Sequence, residues 1–210
     1  MVEGSQLNGF ERRTEQKKQL ILAITKEKLT QDRFHTETIK EIAKEAKVSQ
    51  VSIYNYFGSK DELLFEVIDE MMKEQLKRYE DLLEGQIQIP YPKLMYTIMI
   101  EEMKFVKIIN DYMKQSADFI AMQERVDRFL EMKFIPFLLK LIQRGMEEQY
   151  MVEGLREDEL LFYFHMYQKA MNQFQKTDSS NHAVISEERF IQFFFKGLMG
   201  DMRNAKIEKR

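Results

Sequence analysis

The chain has no cysteine in its 210 residues, which excludes a disulfide framework and any thiolate metal or redox site. Proline (three) and glycine (eight) are scarce, which favours long helices over many turns. Long apolar runs are missing too. No stretch approaches the roughly 18 apolar residues that suggest a membrane span. Residues 1–19, MVEGSQLNGFERRTEQKKQ, lack the apolar core of a secretory signal. A cytoplasmic location is therefore expected. The three histidines, His35, His165 and His182, are scattered, so no metal site and no cofactor are expected. There is no HExxH pattern, nucleophile elbow or glycine-rich phosphate loop, so an enzyme is not expected either.

What is present is a helical pattern with uneven charge. The net charge is −3. Residues 1–60 hold 11 Lys and Arg against 8 Asp and Glu, whereas residues 61–210 hold 21 against 27. A basic head on an acidic body is compatible with nucleic-acid contact at one end. The excess is small and does not establish such contact by itself.

Apolar spacing predicts helices over 12–30, from Thr38, over 50–56, 60–84, 93–115, 117–149, 156–176 and 186–206. The first should bury Leu20, Ile21, Ala23, Ile24 and Leu29. Thr38 with Glu41, and Ser59 with Glu62, have capping-box spacing. Gly85 to Pro92, GQIQIPYP, is the clearest internal break. Pro136 should kink or divide the 117–149 helix. The expected fold class is all-α: an N-terminal three-helix head with a helix-turn-helix, and a larger C-terminal helical domain.

Residues 38–64, TIKEIAKEAKVSQVSIYNYFGSKDELL, carry the motif. Two short helices are joined by Ala46-Lys47-Val48-Ser49, with Ser49 a good N-cap. With Ile53 inward, Phe57 falls on the same side and Val48 closes the core. Val51 and Asn55 then point outward, flanked by Ser52 and Tyr54. No charge occurs from Val48 to Ser59, where a helix facing only water would normally carry Lys or Glu. Gln50 and Asn55 amides suit base edges, Val51 suits a thymine methyl, and hydroxyls suit phosphates. Around this helix, Thr38, Lys40, Lys44, Lys47, Tyr54, Tyr56 and Lys60 are candidate phosphate contacts. Two readings of the lysine line stay open: a phosphate clamp, or a solvated face paired with Glu37 and Glu41. Thr38 and Ser49 can cap their own helices while contacting phosphate, and Tyr56 can instead pack on the first helix.

The order and spacing of Ile42-Ala43, Ala46, Val48-Ser49, Ile53-Tyr54, Phe57, Ser59-Lys60 and Leu63 resemble the TetR family of transcriptional regulators. The resemblance covers about residues 12–65. It implies a DNA-binding domain over 1–60 and a ligand-binding and dimerisation domain over 61–210, connected by helix 60–84. DNA contacts would fall on Thr38, Lys40, Gln50, Val51, Ser52, Tyr54, Asn55, Tyr56 and Lys60, with Ser49 beside them. The implied partners are a double-stranded, roughly palindromic operator, a second copy of the chain and a small-molecule effector, with no membrane. One position departs from the pattern: Lys47 stands where the family usually has glycine, at a cost of about 1 kcal/mol if left-handed.

Beyond the head, Leu160, Phe164, Tyr167, Met171 and Phe174 form one stripe on the 156–176 helix, and Phe162, Met166 and Ala170 a second. Two apolar faces suggest one face for the chain's own core and one for a partner. Phe162, Met166, Phe190, Phe194 and Leu198 are the candidate dimer contacts. Phe105, Tyr112, Phe119, Phe134, Phe137, Tyr163 and Tyr167 are candidates for lining an apolar effector pocket, although such residues also build plain core. A cationic effector would look to Glu101, Glu102, Asp111 or Asp118. The main expectation is a ligand-responsive repressor. The alternatives are a helical interaction module that kept the fold without DNA binding, and a small-molecule carrier or enzyme.

Overall fold

The computed structural model describes residues 9–31, 39–85, 89–113, 116–151, 154–177, 189–190, 192–194 and 197. Its elements are α1 (Gly9–Thr30), α2 (Ile39–Glu45), α3 (Gln50–Phe57), α4 (Lys60–Glu84), α5 (Tyr91–Met113), α6 (Phe119–Phe129), α7 (Ile135–Glu147) and α8 (Glu157–Thr177). A π-helical turn, Leu130–Phe134, joins α6 to α7. No strand occurs among the described residues, and the fold is all-α as expected. None of the described helices is long and apolar enough to cross a membrane. The expected 186–206 helix lies largely outside the described residues.

Local chemistry explains the boundaries. Ser49 caps α3 by accepting from the Ser52 N–H at 3.0 Å, and Ser59 caps α4 by accepting from the Glu62 N–H at 3.0 Å. Gly85 ends α4 where a Cβ would lie 2.4 Å from the Asp81 carbonyl oxygen. Pro136 shifts the helical register rather than ending the helix. It offers no N–H, and the preceding Ile135 N–H reaches five residues back to Leu130 O.

The chain divides into two compact units, Met1–Gln75 with Ile108–Arg128, and Leu76–Lys107 with Phe129–Arg210. The division between these units falls inside α4, and α5 and α6 also contribute to the first unit. In that unit α1, α2 and α3 pack pairwise. The inward face of α1 is Ile21, Leu22, Ile24, Thr25 and Leu29. Leu20 and Ala23, expected inside, are exposed. The i, i+4 line of Ile21, Thr25 and Leu29 sets the face, and Thr25 satisfies its hydroxyl on Ile21 O at 2.8 Å. Tyr112 donates to Leu29 O at 2.5 Å, joining α5 to α1.

The second unit has its own core, including Tyr79, Tyr91, Leu94, Ile98, Phe137 and Leu141. Arg144 donates to the Leu83 and Ile89 carbonyls at 3.2 and 3.0 Å, satisfying one acceptor before the Gly85–Pro92 break and one within it.

Candidate functional site

The helix-turn-helix is built on a left-handed helix end. Lys47 has φ 55. Its N–H donates to Lys44 O at 3.3 Å, and the Val48 N–H donates to Ala43 O at 2.9 Å. This is the Schellman arrangement, with Lys47 where glycine is usual and Val48 folded back toward α2. Lys47→Gly should therefore stabilise the protein by about 1 kcal/mol, less the added freedom of the unfolded chain. Chemical denaturation measures it, and a loss of stability would contradict the assigned strain.

From that turn, α3 is held by its inner face alone. Ile53 and Phe57 are 0% and 5% exposed, whereas Val51 and Tyr54 are 65% and 46% exposed. Gln50 and Asn55 are exposed, and Ser52, Tyr56 and Val48 are half-buried. Tyr56 sets its ring edge-on to Phe57, with centroids 6.4 Å apart. Lys18 lies over the other aromatic surface available there, 5.9 Å from the Phe57 centroid. Gly58 (φ 83) ends the helix, and its N–H donates to Tyr54 O. The open face from Gln50 to Asn55 carries amides, hydroxyls and one branched apolar side chain, and no charge.

Lys40, Lys44, Lys47 and Lys60 are exposed around this face. Ser49 Oγ is 2.8 Å from Ser52 Oγ as well as capping the helix. Thr38 lies outside the described residues. The interface candidates are thus brought to one region by one turn and one short helix.

The other expected residues scatter. Tyr112 is buried in the first unit with its hydroxyl spent on Leu29, and Phe119, of the same unit, is 48% exposed. Phe105, Phe134, Phe137, Tyr163 and Tyr167 belong to the second unit. Phe134 and Phe137 are core side chains with centroids 6.0 Å apart; Tyr163 and Tyr167 are half-buried and 4.9 Å apart.

Phe190 and Phe194, expected at a dimer contact, are buried inside the protomer, against Tyr167 at 5.4 and 4.8 Å. Phe162 and Met166 of α8 are 72% and 45% exposed. Ala170 of the same stripe turns inward beside Met103 and Phe190. Leu198, Met171 and Phe174 are not described at the side-chain level.

Of the four acids singled out for a cation, Asp118 caps α6, accepting from the Ala121 N–H at 3.1 Å. Glu101 pairs with Arg78, and Asp111 is half-buried. Glu102 differs from them: it accepts from the buried Tyr79 hydroxyl at 3.1 Å, and burial pushes its carboxyl up to about 7. The signal in the sequence that sets Glu102 apart is its register behind the buried Met95 and Ile98 on α5.

Comparison with known proteins agrees with this arrangement. Residues 21–67 match the model for bacterial regulatory proteins of the tetR family. The HTH-type transcriptional regulator HbdR of Aromatoleum sp. (strain CIB) is 42% identical over 74 residues, 35% of this chain and 30% of that regulator. The chain thus aligns with less than a third of HbdR's length. Three solved structures share the fold more broadly. FadR of Bacillus subtilis, solved with stearoyl-CoA, has a TM-score of 0.59 at 17% identity, covering 85% of this chain and 98% of its own. FadR of Bacillus halodurans has 0.60 at 15%, covering 89% and 96%. NalD of Pseudomonas aeruginosa, the secondary repressor of the MexAB-OprM multidrug efflux pump, has 0.57 at 19%, covering 90% and 98%. The chain thus shares its helix-turn-helix segment, residues 21–67, with bacterial regulatory proteins of the tetR family, and its all-α fold along most of its length with these solved structures.

Proposed function

We propose that the protein is a sequence-specific DNA-binding repressor, released from a palindromic operator by a small, largely apolar effector. The observation that carries this reading is the uncharged, exposed face of α3, held outward by the buried Ile53 and Phe57. Gln50 and Asn55 read base edges, and Val51 meets a thymine methyl. Thr38, Ser49, Ser52, Tyr54, Tyr56, Lys40 and Lys60 hold the phosphate backbone and set the register.

The active species is a homodimer. Phe162 and Met166, exposed on α8, support a contact between copies there. The apolar, aromatic interior of the second unit supports an apolar effector, and α4, which contributes residues to both units, is the continuous element that carries the response. The stearoyl-CoA complex of the B. subtilis FadR is an instance of a related fold holding an apolar chain.

Selection of bound duplexes from a random DNA pool tests the reading, because it yields both binding and half-site spacing. On the selected site, Tyr54→Ala and Lys60→Ala should each weaken binding by at least about 1 kcal/mol, with the Lys60 change also lowering the salt dependence. Unchanged affinity in both, with folding intact, defeats the contact assignment. Sedimentation at micromolar concentration should show a dimer, and Phe162→Glu should shift it toward monomer; a monomeric wild type removes the dimer claim.

A further inference from the structure

We propose that Glu102, held by Tyr79, is the polar anchor of the effector site and selects a lipophilic cation, a ligand carrying a positively charged nitrogen on an apolar body. The assignment rests on reading the second unit as the effector-binding one.

The register of α5 makes Glu102 an inward residue. Leu94, Met95 and Ile98 are buried, and Glu102 follows Met95 by seven positions and Ile98 by four. An apolar side chain is the expected occupant of that position, because a carboxylate there loses water without gaining a cation. Tyr79, fully buried on α4, directs its hydroxyl to Oε2 and thereby orients the acid. Among the described residues no lysine or arginine neutralises it; the neighbouring Glu101 takes Arg78 instead. Glu102 nevertheless keeps some accessible surface, so a ligand can reach it.

The surroundings suit the same class. From Tyr79 a series of rings runs through Phe137, Phe134 and Phe164, with successive centroids 5.9, 6.0 and 5.9 Å apart. These rings are packed core, with Tyr79, Phe137 and Phe134 0%, 2% and 5% exposed, and they make the surroundings of Glu102 apolar, where a carboxylate attracts a desolvated cation more strongly than in water. An anionic ligand would be repelled by the acid, and a neutral one would leave its charge uncompensated.

The test is calorimetric titration of the full-length protein at pH 8 with three probes of one chain length: decyltrimethylammonium, decanol and decanoate. The cation should bind about tenfold or more tightly than the other two. Glu102→Gln should abolish that preference. Glu101→Gln, a change at the surface pair with Arg78, should leave it intact. Equal binding of the three probes overturns the proposal, as does an equal loss in both variants, which would indicate only the overall acidity of the unit. The titration needs no DNA. If no duplex is selected from the random pool, the regulatory reading fails alone; if other compounds release the operator while the cation neither binds nor depends on Glu102, the anchor fails alone.

Discussion

Glu102→Gln should be more stable than the wild type at pH 8, with the advantage shrinking toward pH 5. The sign follows from proton binding. In the folded protein the Glu102 carboxyl titrates at about 7 rather than its ordinary 4.5. Between those values the folded state holds a proton that the unfolded chain has released. Stability therefore falls as pH rises through that window and levels off above it. A shift of that size corresponds to at most about 3.5 kcal/mol. The residual accessibility of Glu102 lets solvent screen part of it, so roughly half is the more realistic expectation. Glutamine keeps an acceptor for the Tyr79 hydroxyl and never ionises, so its curve should lack this fall. Urea denaturation of both proteins at pH 5, 6, 7 and 8 measures the difference. Parallel curves would show that the acid is solvated in the folded state. The same experiment with a bound cation should reverse the order at pH 8, because the ligand then stabilises the ionised wild type.

Gly145→Ala should destabilise the second unit by about 1–3 kcal/mol, the usual range for forcing a methyl into a packed core. A Cβ at Gly145 would lie 2.4 Å from Tyr91 Oη, 2.5 Å from Cζ and 2.8 Å from Cε1. Tyr91 is fully buried and stacked on Tyr150 with centroids 5.5 Å apart, so its ring has little room to retreat. The Tyr91 hydroxyl is itself buried with no hydrogen-bond partner among the described residues, and burial raises its phenol. Tyr91→Phe should accordingly be neutral or mildly stabilising, since it removes an unsatisfied group at little cost in packing. The clash also predicts coupling. The Gly145→Ala and Tyr91→Ala pair should cost less together than the sum of the single changes, because the smaller side chain makes room for the methyl. Strict additivity in denaturant melts would place the two residues apart.

The head was readable because its signals are local. Ser49 and Ser59 cap helices within three residues, Lys47 turns the chain within four, and Ile53 and Phe57 share a face through helical periodicity. The second unit was less readable for a related reason. Aromatic residues at helical spacing look alike whether they fill a core, line a site or meet a partner. Phe162 and Phe190 look equivalent in the sequence, but the first is exposed and the second packs on Tyr167. Leu20 and Ile21 are equally apolar neighbours, but only the second is buried. Adjacent residues on a helix differ by about 100°, so a small error in facing reverses a residue's surroundings.

The sequence by itself determined the all-α class, the helix-turn-helix, its uncharged outer face and the left-handed position at Lys47, because each follows from contacts within one or two helical turns. Tertiary structure alone decided which acid is enclosed and which is paired, where Gly145 meets Tyr91, and which phenylalanines remain exposed. Glu101 and Glu102 are neighbours in the chain, but Arg78 takes one and Tyr79 the other. Such choices depend on which helix packs opposite, and spacing along one helix carries no record of its neighbour.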